Sequence, residues 1–307
     1  MILTVTLNPS VDIRYQIPHF KENSTNRVPA VQIGKTAGGK GLNVSRVIHA
    51  FGEPLLATGL LGGSLGAFIV KQLSDQGIPY DFTNTEAESR NCIAILHDGK
   101  QTEILEAGPA ILAKEKMTFL QHFQALLETT SVVTLSGSLP NGLPQSFYAQ
   151  LIALAAEKEI PVLLDTSGPS LRESLSVKEK PYLIKPNQEE LIELTHSDGE
   201  NLEEALQNPI FNGIPVVLVS LGKDGALVKA EDHIFRVRIP RVEVQNPVGS
   251  GDATLAGFAV ALNRQLSFID QLRYAMTAGV LNAMQVETGA VDLEKVSLIL
   301  EQVNVEK

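Results

Sequence analysis

The sequence predicts an α/β fold in which helices cover both faces of a mostly parallel sheet. Apolar runs of strand length alternate with segments whose apolar residues have helical spacing, over most of the 307 residues. This alternation is typical of β-α-β units, in which successive strands run parallel. The strand-like runs are residues 3–7, 55–61, 132–135, 162–165, 182–185 and 216–221.

Helical segments lie between these runs. Their apolar residues recur at the spacing that places them on one face of a helix. The segment after the first glycine cluster and the segment that follows it show the pattern most clearly, with Val44, Val47, Ile48 and Phe51 in one and Phe68, Ile69 and Leu73 in the other.

Two stretches interrupt the alternation. Residues 12–36 show β-like alternation without an intervening helix, and residues 91–105 have the pattern of a hairpin that turns at Asp98-Gly99. We expect strands from these two places to pair into a small sheet beside the main sheet. The chain is thus predicted to be a single domain, residues 1–307, with a lid formed by about 12–36 and 91–105.

Composition restricts the partners and the location. A net charge of −10 argues against nucleic acid as a partner. No run reaches the roughly 18 apolar residues of a membrane span, the N-terminus has the pattern of a first strand rather than a signal peptide, and the single Cys92 cannot form an intrachain disulfide. We expect a cytoplasmic protein that binds neither nucleic acid nor membrane. A local cluster of Lys and Arg must then hold any anionic substrate.

The most informative stretch is residues 246–254, Asn-Pro-Val-Gly-Ser-Gly-Asp-Ala-Thr. The apolar spacing after it predicts a buried helix that begins near Gly249, Ser250 and Gly251. Backbone N–H groups at a helix N-terminus lack partners in the helix and attract anions. Asp252 would repel a phosphate there unless it takes a proton from the attacking hydroxyl. On this motif alone, Asp252 is equally consistent with a simple helix cap.

A second glycine cluster, residues 37–43, opens an earlier predicted helix. Gly38, Gly39 and Gly41 surround Lys40, so a ligand could approach the backbone closely beside a positive charge. The cluster alone is also consistent with a tight strand-to-helix turn. The nearby Gly34-Lys35-Thr36 resembles the end of a P-loop, but the first glycine of that motif would fall at Pro29. Neither glycine cluster completes the dinucleotide-binding G-x-G-x-x-G motif.

The two glycine motifs, in this order, resemble those of the ribokinase/PfkB family of carbohydrate kinases, and the resemblance extends over nearly the whole chain. Residues 187–190, Asn-Gln-Glu-Glu, are similar to the family's N-x-x-E element for magnesium and phosphate. Residues 220–225, Ser-Leu-Gly-Lys-Asp-Gly, are similar to its ATP-phosphate segment. The resemblance implies a ribokinase-like αβα sandwich with a mostly parallel central sheet and a small β-sheet lid.

Within the family, the chain is most similar to the sugar-phosphate kinases, which share residues 6–12, 26–28 and Lys40. Residues 90–96 and 101–106 look more like the enzymes that act on tagatose 6-phosphate than those that act on fructose 1-phosphate. The implied reaction is ATP-dependent phosphorylation of the 1-hydroxyl of D-tagatose 6-phosphate to tagatose 1,6-bisphosphate, a step of lactose and galactose catabolism. The alternative is a 1-phosphofructokinase. A non-catalytic sugar-phosphate sensor is a distant alternative, because a sensor would not need Asp252.

The resemblance also implies a role for each motif residue. Asp252 would be the base, the N–H groups of Gly249, Ser250 and Gly251 would hold the transferring phosphoryl group, and Glu190 would act on Mg²⁺ through water. A guanidinium can hold a phosphate through two N–H groups, although Arg90 alone could be a solvated charge at a hairpin edge. The implied sugar-phosphate residues are Asp12, Arg27, Gly38, Gly39, Lys40, Asn43, Arg90 and Ser138. The implied ATP residues are Lys185, Asn187, Ser220, Gly222, Gly225, Ala278, Gly279 and Asn282.

Relatives of the family often pair through their lids, so the resemblance implies a homodimer as well. A sheet of few strands that covers a ligand with one face leaves the other face partly uncovered. In this sequence that face would carry Ile93, Ile95 and Ile104. We expect the two lids of a two-fold dimer to shield each other.

Overall fold

The computed structural model describes residues 1–307, which form two sheets and their covering helices. The strands are β1 (Ile2–Thr6), β2 (Ser10–Gln16), β3 (Ile33–Gly38), β4 (Leu55–Gly62), β5 (Thr83–Thr85), β6 (Arg90–His97), β7 (Lys100–Leu105), β8 (Val132–Ser136), β9 (Val162–Asp165), β10 (Leu183–Ile184), β11 (Val216–Ser220), β12 (Ala226–Ala230), β13 (His233–Arg238) and β14 (Asn304–Glu306). The helices are α1 (Lys40–Ala50), α2 (Gly63–Asp75), α3 (Ala113–Leu126), α4 (Phe147–Ala156), α5 (Gly168–Ser176), α6 (Gln188–Thr195), α7 (Leu202–Ala205), α8 (Ser250–Asn263), α9 (Phe268–Ala283) and α10 (Val296–Gln302).

The larger sheet has the strand order β14-β13-β12-β11-β10-β9-β8-β1-β4-β5. All neighbours from β5 to β11 are parallel, and β12, β13 and β14 continue the sheet in antiparallel fashion. This confirms the predicted mostly parallel α/β arrangement. The predicted strand 182–185 is shorter in the structure, where β10 contains Leu183 and Ile184 alone. The N–H groups of Tyr182 and Lys185 still bond to carbonyls of the β9 segment, Val162 and Leu164.

Helices cover both faces of the larger sheet because successive strand residues point to opposite sides. Ile2 and Leu163 contribute to a core shared with α1, α2, α8 and α9. Leu3 and Leu164 contribute to a second core on the other face, shared with α3, α4, α5 and α6. All four strand residues are fully buried. No helix in the structure combines the length and the apolar character needed to span a membrane.

The smaller sheet has the order β3-β2-β6-β7 and confirms that the two interrupting stretches pair with each other. β2 runs antiparallel to β3 and parallel to β6, and β6 and β7 form the hairpin predicted at Asp98-Gly99. Residues 28–31 were expected to be β-like but are not part of a strand. A tight turn, closed by the Gln32 N–H bonding the Pro29 carbonyl, takes their place and leaves Val31 93% exposed.

The chain reverses the direction of strand addition at β1. β4 and β5 add on one side of β1, whereas β8 and the later strands add on the other. In open parallel sheets, ligands bind outside the carboxyl ends of the strands at such a switch point. Asn8 and Ser138 follow β1 and β8 there, and Asn8 Nδ2 donates a 3.2 Å hydrogen bond to Ser138 Oγ. The smaller sheet begins at Ser10, so it extends from this edge.

Candidate active site

The Asp252 carboxylate lies inside the protein in the first turn of α8. No side chain caps this helix. Its N-cap residue is Gly249, which has a φ of 81°, and a Cβ added to Gly249 would lie 2.4 Å from Thr288 Cγ2. Asp252 is 6% exposed, and its Oδ2 accepts a 2.7 Å hydrogen bond from Asn43 Nδ2. Its Oδ1 has no partner within the chain. The interpretation of Asp252 as a helix cap is therefore wrong, and the second oxygen is available to accept a proton.

Three backbone N–H groups at the start of α8 have no acceptor in the chain: those of Gly249, Gly251 and Asp252. The sequence analysis assigned the anion hole to Gly249, Ser250 and Gly251. The Ser250 N–H group is not free to bind an anion, because it donates a 3.3 Å hydrogen bond to the Pro247 carbonyl. The N–H group of Asp252 takes its place. Unpaired N–H groups at a helix start attract an anion.

Asp165 ends β9 and lies between two lysines. It is 2% exposed, its Oδ1 is 3.2 Å from Lys40 Nζ, and its Oδ2 is 3.3 Å from Lys185 Nζ. Burial opposes ionisation of Asp165, but the ammonium groups of Lys185 and Lys40 outweigh burial and lower its pKa. Asp165 in turn raises the pKa of Lys40. The sequence analysis missed this residue, although a carboxylate at the carboxyl end of a buried parallel strand is a signal for a site.

Lys185 was expected on the nucleotide side, but its ammonium group lies beside the unpaired N–H groups of α8. A Cβ added to Gly251 would be 3.0 Å from Lys185 Nζ. Burial raises the pKa of Asp252 to about 6, and the charge of Asp165 adds to the increase. Lys40, the Asn43 hydrogen bond and Lys185 act in the opposite direction. The site thus combines a carboxylate that titrates near neutrality with positive charge and free N–H groups.

Asp12 lies on β2 of the smaller sheet and faces the site. Ser10 Oγ donates a 2.6 Å hydrogen bond to Asp12 Oδ1, a contact that the sequence analysis missed. Burial raises the pKa of Asp12, while Ser10 and nearby guanidinium groups oppose this increase. Gly38 of β3 crosses directly over the carboxylate, where a Cβ would lie 2.0 Å from the carboxyl carbon. Gly39 follows and forms the N-cap of α1.

Arg90 begins β6 and points toward the end of β1. Its Nε donates to the Asn8 carbonyl at 3.1 Å and its Nη1 to the Glu106 carbonyl at 2.8 Å. Its Nη2 makes no hydrogen bond within the chain. Since Asn8 also binds Ser138, it connects two of the expected sugar-phosphate residues, and the sequence analysis did not identify it. The bonded guanidinium differs from the alternative of a solvated charge at a hairpin edge.

Arg27 is the expected sugar-phosphate residue that the structure does not bring to this cluster. It is exposed, in the segment between β2 and β3. It forms neither an ion pair nor a hydrogen bond. Its assignment rests on the resemblance alone.

The expected nucleotide-side residues follow β10 and β11. Asn187 and Glu190 form a capping box at the start of α6, in which each side chain accepts a 2.8 Å hydrogen bond from the other residue's N–H group. Asn187 also forms a β-bridge with Ser220. Gly222 and Gly225 lie at the start and at the end of the turn after β11. These loops are adjacent at the carboxyl edge of the sheet.

No cluster of three or more His, Cys, Asp or Glu side chains capable of holding a metal ion is present. Glu190 uses only Oε2 in the capping box, which leaves Oε1 available to a hydrated cation. Mg²⁺ commonly keeps several waters and uses one or two protein carboxylates beside substrate phosphates. The donor set fits such a cation.

The three expected adenine-pocket residues on α9 require a correction. Ala278 and Asn282 are fully buried, so their side chains do not face a ligand. Asn282 Nδ2 donates to the Val248 carbonyl at 2.9 Å, and its Oδ1 accepts from the Gly289 N–H at 2.8 Å. Gly279 allows α9 to approach α8 closely. Asn282 thus connects the loop before α8 to the turn at Gly289, while Ala278 and Gly279 pack against α8.

The fold is ribokinase-like, and its candidate site combines a buried carboxylate with unpaired N–H groups, an arrangement suited to phosphoryl transfer. The sequence profile described as pfkB family carbohydrate kinase matches residues 5–295. The chain belongs to this family of carbohydrate kinases.

Solved structures of similar proteins agree with this membership. A protein of Staphylococcus aureus named as a candidate phosphofructokinase is 31% identical, with 100% of this chain and 98% of that chain covered and a TM-score of 0.83. Phosphofructokinase-2 from Escherichia coli in complex with fructose-6-phosphate is 28% identical, with 98% of each chain covered and a TM-score of 0.87. A protein of Thermotoga maritima named as a candidate 1-phosphofructokinase is 25% identical, with 99% and 98% covered and a TM-score of 0.88.

The raised pKa of Asp252 predicts the acid limb of the pH profile. The ionised carboxylate accepts a proton, so kcat/KM, which reports groups of the free protein, should be at its plateau above the pKa and fall as the pH decreases through about 6. We expect a single-group limb when kcat/KM for the sugar is measured between about pH 5 and 8. A plateau that persists to about pH 4, where ordinary aspartates titrate, would contradict this assignment.

Proposed function

We propose that the protein transfers the γ-phosphoryl group of ATP to the 1-hydroxyl of D-tagatose 6-phosphate. The observation that carries the proposal is the Asp252 carboxylate, whose Oδ2 is held by Asn43 while its Oδ1 is free beside unpaired N–H groups. The tagatose assignment is supported by the resemblance of residues 90–96 and 101–106. A second candidate is the phosphorylation of fructose 1-phosphate, which is supported by the likeness to the Thermotoga maritima protein.

The chain's own groups account for the proton and the charge in this reaction. The sugar oxygen forms a bond to the γ-phosphorus while the bond from that phosphorus to the bridging oxygen breaks, and ADP leaves with the electron pair. Asp252 takes the hydroxyl proton on its free oxygen. The N–H groups of Gly249 and Gly251, together with Lys185, stabilise the negative charge on the transferring group, because they are oriented before the reaction begins.

The nucleotide would extend along the loops after β10 and β11. Asn187, Ser220, Gly222 and Gly225 lie at this edge and would border its phosphates. Mg²⁺ bound with ATP would neutralise phosphate charge, with Glu190 Oε1 as its contact through water. The α9 residues would act indirectly, through the loop before α8.

The phosphate already on the sugar would lie near Lys40 and Arg90. Lys40 keeps a 44% exposed side chain although its ammonium group binds Asp165, and Arg90 has an unused Nη2. Asp12 would accept hydrogen bonds from sugar hydroxyls. Ser138, which binds Asn8, would add a hydroxyl group beside the sugar. The smaller sheet would close over the sugar and exclude water, which limits hydrolysis of ATP.

A substrate panel tests the proposed function. ATP consumption should be greatest, in kcat/KM, with tagatose 6-phosphate when it is compared with fructose 6-phosphate and fructose 1-phosphate. The Asp252→Asn variant should bind both substrates and lose a factor of about 10² to 10⁴ in kcat, as expected for a missing general base. A preference for fructose 1-phosphate would replace the first candidate with the second. Near-normal turnover by Asp252→Asn would refute the assignment of the base.

Removal of Arg90 tests whether its guanidinium group binds the phosphate of the sugar. Arg90→Ala should raise KM for the phosphorylated sugar far more than KM for ATP, with a loss of roughly 2 kcal/mol or more in kcat/KM for the sugar, because a charge-assisted bond to phosphate is lost. Arg238→Ala is the matched control, since Arg238 pairs with Glu306 at the antiparallel edge of the larger sheet. A rise in KM for ATP alone would place Arg90 on the nucleotide instead.

We propose a homodimer in which the outer faces of the two lids cover each other. Ile93 and Ile104 are paired on that face, Ile95 lies two residues along β6, and Ile104 is 53% exposed. Light scattering at micromolar concentration should give the dimer mass, and Ile104→Glu should shift it to the monomer mass. Leu298→Glu, an exposed site on α10, should leave the dimer unchanged. A monomer mass for the unaltered protein, with and without substrate, would exclude this dimer.

A further inference from the structure

Arg46 lies on α1 almost one turn after Asn43, and its partly buried guanidinium group is held by two hydrogen bonds. Nη1 donates to the Ala37 carbonyl of β3 at 2.9 Å, and Nη2 donates to Asn43 Oδ1. On the other side, a Cβ added to Gly289 would lie 2.9 Å from Arg46 Nε. The guanidinium therefore fills the space between the smaller sheet, α1 and the turn at Gly289.

The neighbours of the Asn43 amide decide which of its ends faces Asp252. A guanidinium group has donors only, so it can bond only to the amide oxygen of Asn43. The amide NH₂ is then directed at Asp252, whose ionised carboxylate has acceptors only. The reversed amide would bring donors against donors at Arg46 and acceptors against acceptors at Asp252. Both contacts would be repulsive.

We propose that Arg46 is a positioning residue for the phosphoryl transfer: it fixes the orientation of the Asn43 amide, which holds one oxygen of Asp252 and leaves the other for the substrate hydroxyl. This inference rests on the proposed function for the role of Asp252 as proton acceptor. The effect of Arg46 passes through Asn43, because the Asn43 amide bonds to both residues.

Charged groups act on both ends of this chain of contacts. Burial lowers the pKa of Arg46, and Asp12 of β2, Asp252 of α8 and Glu287 after α9 oppose the decrease. The groups that face Asp252 are Lys40 and Asn43 of α1, Asp165 of β9 and Lys185 after β10. A variant of Arg46 can therefore act on Asp252 by two routes, through Asn43 or directly through charge. The experiment must separate them.

Arg46→Met removes both hydrogen bonds while keeping an unbranched side chain of similar length. Without the guanidinium the Asn43 amide can turn, so Asp252 loses a bond that favours its ionised form. We expect kcat to fall about ten- to a hundredfold, the acid limb to move to higher pH, and both KM values to stay within about twofold of the unaltered protein. Arg172→Met is the matched control, because Arg172 also binds a backbone carbonyl, that of Glu193, and has no contact with Asn43 or Asp252. Unchanged kcat and pH profile in Arg46→Met would overturn the proposal.

A double-mutant cycle separates the two routes. In an Asn43→Ala background, Arg46→Met should change kcat and the acid limb little, because the residue that transmits its effect is already missing. An effect as large as in the unaltered protein would show that Arg46 acts through its charge alone and would overturn the proposal. Arg46→Lys gives a second test that keeps the charge. Its ammonium group lacks the planar fork that bonds Ala37 and Asn43 together, so we expect kcat below that of the unaltered protein, whereas full activity would indicate a charge effect only.

A measurement without catalysis distinguishes failure of this inference from failure of the proposed function. The activity assays use whichever ketohexose phosphate the unaltered protein phosphorylates. If it phosphorylates none, the proposed function fails, and the carboxyl carbon of Asp252 can still be titrated by NMR, with Asp252→Asn to assign the signal. The pKa of Asp252 should be higher in Arg46→Met than in the unaltered protein. In an Asn43→Ala background, the pKa of Asp252 should be the same with and without Arg46→Met. An equal pKa with Asn43 present would overturn the positioning role.

Discussion

The ion pairs of Asp165 hold the active site together. Removing a carboxylate from water is costly unless partners compensate for the lost hydration, and a buried charge that loses its partner is strongly destabilising. Asp165 satisfies this requirement with two lysines, one at the start of α1 and the other after β10. Because Lys40 begins α1 and Lys185 Nζ lies beside Gly251 of α8, a single buried carboxylate connects two parts of the candidate site.

The same group of charges makes Asp252 suitable as a base. Burial and the negative charge of Asp165 favour the protonated form of Asp252, while Lys40, Asn43 and Lys185 favour the ionised form. The resulting pKa of about 6 is close enough to neutrality for the carboxylate to be ionised before the reaction and to hold a proton during it. A solvent-exposed aspartate would be a weaker base. Without the lysines, the pKa of the buried Asp252 would be higher still.

The sequence predicted the parallel half of the fold well, because strands buried on both faces appear as continuous apolar runs. It did not identify the antiparallel strands β12 to β14, of which β13 and β14 are partly exposed and have a weaker apolar pattern. For the site, the glycine motifs placed Asp252 and Lys40 correctly at helix starts. Asp165, Asn8 and Arg46 escaped notice because their roles depend on distant partners. Lys40 and Asp165 are 125 residues apart in the sequence, so no local sequence pattern predicts the hydrogen bond between them.

The distribution of charge is compatible with the two anionic substrates of the proposed reaction, although the protein is acidic. The net charge of −10 produces a field that opposes the approach of phosphates. At the site, however, Asp165 is fully compensated by its lysines, and the helix start presents unpaired N–H groups that carry partial positive charge. These groups act over a few ångströms, whereas the net charge acts over distances that salt screens. Anion binding at this site would therefore depend on close contact with these lysines and N–H groups.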